Sequence, residues 1–275
     1  MSATDYLPTG LSSGDTFQLA FVTNAHSSAS STDILVYNTF VQTQWNGSGL
    51  KLLIETYLNH SISFKCIGST TAKAAKDNAV VGSGPNFKGV YKLTQEKIAD
   101  DFTDMWNGSI DSSLNINENG VDKFHGDLRA EVWTGSESNG VGEPSQELGG
   151  SLEVVFGQGN TMTSAWMKQA PSPQPASVRP LYALSEILTW PAPPPPPCIV
   201  DNILTDKNYK QRFPYGRWNN TNTNLKLFPM TICHGTNGRI IKKQTKNVFK
   251  NTAMRMSQKQ VYSYLIRNGI GPYTR

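Results

Sequence analysis

The sequence has little cysteine. Its 275 residues include only Cys66, Cys198 and Cys233, too few and too scattered for a disulfide framework. None of them belongs to a C-x-x-C pair, the spacing that begins many zinc and redox sites. We therefore expect no cysteine-based chemistry, and we predict that the protein uses no cofactor and no metal ion.

Long apolar runs are also missing. A helix that crosses a bilayer needs about 20 consecutive apolar residues, and the longest candidate, 51–58, is interrupted by charged residues. The sequence therefore predicts no membrane span. The amino terminus, 1–8, lacks the basic start and apolar run of a secretory signal. Either the chain stays where it is made, which is the interpretation we favour, or a signal has been removed.

Charged residues are scarce as well, at 17% of the chain, whereas Gly, Ser, Thr and Asn are abundant. This balance excludes a coiled coil and favours a turn-rich fold that contains strands. A chain of this length exceeds one average domain, so we expect one sizeable folded unit with a smaller appendage.

The charges present are unevenly distributed. Residues 198–275 contain fourteen Lys and Arg residues against two acids, a net charge of +12, while residues 1–197 carry a net charge of −8. The proline-rich run 191–197 lies at the boundary and favours an extended spacer of roughly 20 Å. We therefore predict an acidic domain at 1–190, a polyproline linker at 191–197 and a basic carboxyl-terminal segment at 198–275.

Apolar spacing predicts the secondary structure of the acidic domain. A compact run at 17–22 indicates a buried strand, and 33–44 places apolar residues at helical spacing after a cap at Ser31 or Thr32. Further elements are a strand or short helix at 50–58, a strand at 62–67, a helix at 70–78, and strands at 90–93, 114–116, 130–133, 152–156 and 181–188. Helices come early and strands late, which predicts the α+β class.

Several short motifs follow one another in a characteristic order within 15–190. They are Val22-Thr23-Asn24, Val90-Tyr91-Lys92-Leu93, Met105-Trp106-Asn107-Gly108, Leu114-Asn115-Ile116-Asn117, Trp133-Thr134-Gly135 and Leu181-Tyr182-Ala183-Leu184. This order resembles a family of C-type-lectin-like domains of bacterial exported and surface proteins. The resemblance implies a lectin-like α+β fold and raises the alternative function of a carbohydrate-binding surface module. In that family Trp106 and Trp133 would be core residues, although exposed tryptophans could instead stack on sugar rings.

Two motifs imitate functional sites. Gly10-x-Ser12-x-Gly14 matches the hydrolase nucleophile pattern, but that pattern needs a helix after the turn, and here a strand follows, so we predict a plain turn. Asn115-x-Asn117-x-Asn119-Gly120 copies the ligand alternation of a calcium loop. Because its twelfth position is Gly126 and not Glu, we predict an Asn-rich turn.

The remaining candidates are acids and histidines. Glu96, Asp100, Asp101 and Asp104 lie at helical spacing, and we interpret them as one solvated helix face in preference to an acid/base pair. The four histidines show no spacing typical of zinc sites or catalysis, so we predict surface or loop positions for them. They are His26, His60, His125 and His234.

The basic segment combines its charge with aromatic and apolar residues, which distinguishes it from a typical disordered tail. Ser257-x-x-Gln260 is a capping box followed by apolar residues at i, i+3, i+4 and i+7, and this pattern predicts one short amphipathic helix. The residues that we predict to contact a partner are Arg239, Lys242, Lys243, Lys246, Lys250, Arg255 and Arg267.

Nucleic acid, an anionic membrane surface and an acidic protein would all suit a +12 segment. No nucleic-acid module is recognised and no strong apolar face is present, so we favour a protein partner. The segment 257–268 resembles the carboxyl-terminal tails of structural proteins of large algal DNA viruses. We therefore expect a non-enzymatic minor capsid protein, anchored by its basic tail to capsid or other assembly proteins and located in the virion, which is assembled in the host cytoplasm. An extracellular or cell-surface protein that binds glycans is the alternative.

Overall fold

The computed structural model describes residues 2–126 and 130–192 and the backbones of two short strands further along the chain. The chain divides into two compact units, Met1–Ala192, which we call the head, and Pro193–Arg275. In the second unit, strands β12 (Ile199–Asp201) and β13 (Met230–Ile232) pair antiparallel. Within the described residues, no helix is long and apolar enough to span a membrane.

The head contains both helices and strands, which confirms the predicted α+β class. Its helices are α1 (Ile34–Gly47), α2 (Lys51–Leu58), α3 (Ala75–Asn78) and α4 (Phe102–Met105). Its strands are β1 (Thr16–Val22), β2 (Ser27–Ser28), β3 (Phe64–Cys66), β4 (Phe87–Lys92), β5 (Lys97–Ala99), β6 (Glu131–Trp133), β7 (Val154–Gln158), β8 (Ala170–Ser172), β9 (Val178–Arg179), β10 (Tyr182–Ser185) and β11 (Leu188–Thr189).

A six-stranded mixed sheet forms the centre of the head, with the order β3-β10-β1-β4-β5 and β11 paired to the start of β1. Strand β1 runs antiparallel to β10 and parallel to β4, so that Ala20 lies between Leu184 and Lys92. A smaller antiparallel sheet, β6-β7-β8, lies elsewhere in the head. The carboxyl ends of β1 and β4 therefore meet at one end of the main sheet.

The alternation of side chains along β1 separates two hydrophobic clusters. Phe17, Leu19 and Phe21 belong to a cluster that also includes the buried residues of α1 and α2. Ala20 and Val22, on the opposite face, belong to a second cluster. Because successive side chains of a strand point to opposite faces, one apolar run supplies both cores.

Helix α1 covers the edge of the main sheet. Its buried residues, Tyr37, Val41 and Trp45, recur at every fourth position and line one face. From the same helix, Asn38 and Gln42 accept hydrogen bonds from the backbone N–H groups of Cys66 and Phe64 in edge strand β3. The helix thus satisfies donors that an uncovered edge would leave unpaired.

Several sequence predictions differ from the structure at the level of single elements. The α1 cap is Asp33, whose carboxylate accepts the N–H of Leu35, and the predicted caps Ser31 and Thr32 are wrong. Of the predicted helix 70–78 only α3 forms, because Thr70 and Lys73 close a separate backbone turn. Of the predicted strand 114–116 only Ile116 pairs, in one isolated bridge to Asp122. The predicted strand 181–188 divides into β10 and β11.

Candidate functional site

The predicted partner-binding residues belong to the basic segment. All seven of them, and the predicted helix over 257–268, lie outside the described residues. The same is true of 193–197 within the predicted linker. The candidate sites that the structure describes are therefore in the head.

Two sequence motifs have the structural roles that we predicted. Ser12 lies in an exposed turn, where its backbone N–H donates to the Asp15 carboxylate. Strand β1 follows this turn directly. The tryptophans of the lectin-like motifs are core residues, since Trp133 is fully buried and Trp106 nearly so. Neither indole is available as a platform for a sugar ring.

The acidic residues of 96–104 do not share a helix face, so that prediction is wrong. Residues 97–99 form strand β5, which pairs with β4, and α4 begins only after Asp101. The carboxylates of Asp100, Asp104 and Asp111 nevertheless lie within 4.8 Å of one another. Burial, and then the charges of its two neighbours, raise the pKa of Asp111. The result is a largely exposed acidic patch.

A loop with a dense set of polar contacts lies at the carboxyl ends of β1 and β4. It covers residues 115–123, and we call it the Asn115 loop. Asn117 forms a bridge to Val22 at the end of β1, and its side-chain oxygen accepts the N–H groups of Asn119 and Val121. The oxygen of Asn119 accepts the N–H of Gly49. These amide oxygens already have protein donors, which confirms the predicted Asn-rich turn.

Lys92, the last residue of β4, connects the main sheet to this loop. Its Nζ atom lies 2.7 Å from Glu96 Oε2 and 3.3 Å from Asn115 Oδ1. On the other side of the same amide, Asn115 Nδ2 donates to Asp122 Oδ2 at 2.9 Å. We call these four residues, Lys92, Glu96, Asn115 and Asp122, the Lys92 cluster.

Burial differs within the Lys92 cluster. The side chain of Lys92 is 4% exposed, whereas that of Glu96 is 59% exposed. The hydrogen bond from Lys92 lowers the pKa of Glu96, against a smaller opposing effect of burial. The buried Lys92 side chain is therefore the hydrogen-bond partner of Asn115 Oδ1, an oxygen that a calcium loop would use as a ligand.

One sequence motif points to part of the Lys92 cluster. The Asn-rich motif marked the loop, but nothing in the spacing connected it with Lys92, which is 23 residues away along the chain. That contact depends on β4 ending beside β1 at the point where the loop bridges β1. Comparison with protein-family models finds no match for this chain, and no curated protein matches it either.

Proposed function

We propose that the chain is a non-enzymatic structural protein of a large DNA virus, a minor capsid protein held in the virion by its basic segment. The observation that carries this proposal is the separation of charge, with +12 in residues 198–275 and −8 in residues 1–197. A region of one sign attracts and orients a partner surface of the opposite sign. The proposed partners are capsid or other assembly proteins with acidic surfaces.

For the head, the proposal includes a C-type-lectin-like fold. Strand β1 pairs with both late strands, β10 and β11, so the beginning and the end of the head share one sheet. Two helices, α1 and α2, follow β1, and short strands with long loops fill the chain between β5 and β10. Together with the order of the motifs, these features support a lectin-like topology.

The proposal that the head is not an enzyme is supported by the structural roles of residues in its three candidate motifs. Asn117 stabilises a turn, the N–H of Ser12 is bound within another turn, and Trp133 lies in the core. These are the residues whose motifs resemble a metal loop, a nucleophile and a sugar platform. Asn117 and Trp133 have structural roles that account for their presence, and Ser12 is followed by strand β1 and not by the helix that the nucleophile pattern needs.

The first test asks where the protein resides and what its basic segment contacts. Particles purified from cells that naturally express the chain are treated with a lysine-reactive cross-linker, and the linked peptides are identified by mass spectrometry. The proposal predicts links from Lys242, Lys243 or Lys246 to a capsid protein. Absence of the chain from the purified particles would contradict it.

A second test uses matched charge variants of the full chain. Changing Lys242, Lys243 and Lys246 to Gln removes three positive charges from the basic segment. The control removes three from the head, at Lys65, Lys73 and Lys76. We expect incorporation into particles to fall at least several-fold in the first variant only, because only that variant weakens the contact surface. Equal incorporation of both variants would refute the proposed anchor.

The same preparations separate the alternatives. Release of the chain by nuclease treatment, with binding to DNA or RNA that weakens steeply as salt rises, would indicate a nucleic-acid partner. Specific binding of the full chain on a glycan array would favour the carbohydrate-binding module. Either result, together with absence from particles, would replace the capsid proposal.

A further inference from the structure

The Lys92 cluster brings an amine, a carboxamide and two carboxylates into contact. Lys92 Nζ touches the amide of Asn115 and the carboxylate of Glu96, and the same amide donates to Asp122. Groups held at this separation need no diffusional encounter to react. We propose that Lys92 and Asn115 form an intramolecular isopeptide bond, assisted by Glu96 and Asp122.

The reaction is an acyl transfer in which every atom is accounted for. Glu96 takes one proton from the Lys92 ammonium, and the free Nζ attacks Cγ of Asn115. In the tetrahedral intermediate a second Nζ proton moves to Nδ2, which Asp122 holds by accepting its N–H, the Cγ–Nδ2 bond breaks and ammonia leaves. Ammonia recovers the proton from Glu96 and departs as ammonium. The Glu96 carboxylate is regenerated, and no oxidant, metal or water is consumed.

Each carboxylate touches an atom that must lose or gain a proton. Glu96 is 2.7 Å from the amine, and Asp122 is 2.9 Å from the amide nitrogen that becomes the leaving group. The amine itself is shielded from water, since the Lys92 side chain is 4% exposed. Burial holds the Lys92 amine against the Asn115 amide and the Glu96 carboxylate instead of bulk water, so the contact that the reaction needs is maintained.

The bond would fix the end of β4 to the Asn115 loop. Residues 1–192 contain a single cysteine, Cys66, which is buried, so the head has no internal disulfide that could serve this purpose. Joining residues 92 and 115 closes a covalent loop and restricts the unfolded chain, as a disulfide does. The bond would form whether or not the basic segment binds a capsid, so its test is independent of the proposed function.

A second lysine in the same loop provides a matched control. Lys123 Nζ lies 3.4 Å from Asn24 Oδ1, but it also donates to the backbone oxygen of Asn24 at 2.8 Å. The nearby carboxylate of Glu118 accepts from the backbone N–H of Asn24 and not from its side-chain amide. Asn24 is also exposed. Lys123 therefore lacks the two carboxylates and the shielding that the reaction needs.

The decisive measurement is peptide mapping of the purified, full-length protein after complete denaturation. If the bond forms, trypsin cannot cleave after Lys92, and peptide 89–97 remains joined to peptide 98–123 in a branched product. The branched product is lighter than its two components by one ammonia. Detection of both linear peptides alone, with Lys92 cleaved, would overturn the proposal.

Variants distinguish this bond from other losses of ammonia. Asn-Gly pairs such as Asn107-Gly108 can lose ammonia by cyclising, so intact mass alone does not decide the question. In Lys92→Arg the loss assigned to 92–115 disappears, whereas Lys123→Arg retains it. Glu96→Gln and Asp122→Asn slow the appearance of the branched peptide at least several-fold. A loss that persists in Lys92→Arg, or that maps to an Asn-Gly peptide, would refute the bond.

Discussion

Gly135 offers a sharp test of how the head is packed, because two glycines with similar backbone angles lie in very different surroundings. Gly135 has a φ of +61° and Gly10 a φ of +76°. A Cβ atom at Gly135 would lie 2.4 Å from the backbone nitrogen of Leu148 and 2.7 Å from the backbone oxygen of Ser69. At Gly10 the same atom would meet nothing within 4 Å.

The loss of unfolding free energy in each variant has two possible causes, backbone strain and steric collision of the new methyl group. Substitution by Ala at either position places a side chain at positive φ, which costs about 1–2 kcal/mol. At Gly135 the methyl group also meets the hydrogen bond from Leu148 N to Ser69 O. Overpacking against backbone adds about 1–3 kcal/mol, and weakening that hydrogen bond adds about 1 kcal/mol. We therefore expect Gly135→Ala to cost about 2–4 kcal/mol more than Gly10→Ala.

The assay is urea unfolding of the two full-length variants, followed by tryptophan fluorescence. Five of the six tryptophans lie in residues 1–192, so the signal reports mainly on the head. The free energy of unfolding should fall for both variants, and more for Gly135→Ala. Each kcal/mol corresponds to about 2–4 °C in melting temperature for a domain of this size. Equal losses within about 0.5 kcal/mol would refute the close packing around Gly135.

Two further variants test side chains that join elements of the head. Arg179 Cζ lies 4.0 Å from the ring centre of Trp133 and 4.9 Å from that of Phe156. Because Arg179→Lys loses the planar stacking, we expect it to lower the free energy of urea unfolding by about 1–2 kcal/mol. An unchanged unfolding midpoint would contradict this. Burial opposes ionisation of Glu55, but hydrogen bonds, first that from Lys51, hold its pKa below 4.5. The ionised form of Glu55 therefore stabilises the head above about pH 4.5, and this stabilisation is lost as the pH falls through the lowered pKa. We expect Glu55→Gln to lower the free energy of unfolding by roughly 1 kcal/mol at about pH 7 and by little at about pH 3. A cost that does not change with pH would refute the assignment.

Local patterns predicted those parts of the fold that depend on neighbouring residues. The apolar run at 17–22 predicted β1, and the spacing of Tyr37 and Val41 predicted α1, because burial of one face determines both patterns. Burial of Trp106 and Trp133 was predicted as well. The resemblance to lectin-like domains and the role of the basic segment stay predictions.

Other predictions failed where a distant partner determines the local structure. Glu96, Asp100 and Asp104 have helical spacing, yet 97–99 pairs with β4 and becomes a strand. Hydrogen bonding to a neighbouring strand outweighs a weak helical preference over so few residues. The Lys92–Asn115 contact was missed for the same reason, since it depends on the order of strands in the sheet and not on any local period.

The proposed bond also gives a physical reason for a lysine at position 92. An ammonium that is 4% exposed loses much of its hydration, and its ion pair with Glu96 has to offset that cost. An apolar side chain of similar length would fill the same space without this penalty. Conversion to an amide removes the buried charge, while Glu96, which is 59% exposed, keeps its own charge solvated. The reaction would therefore convert a costly buried ion into a neutral covalent link.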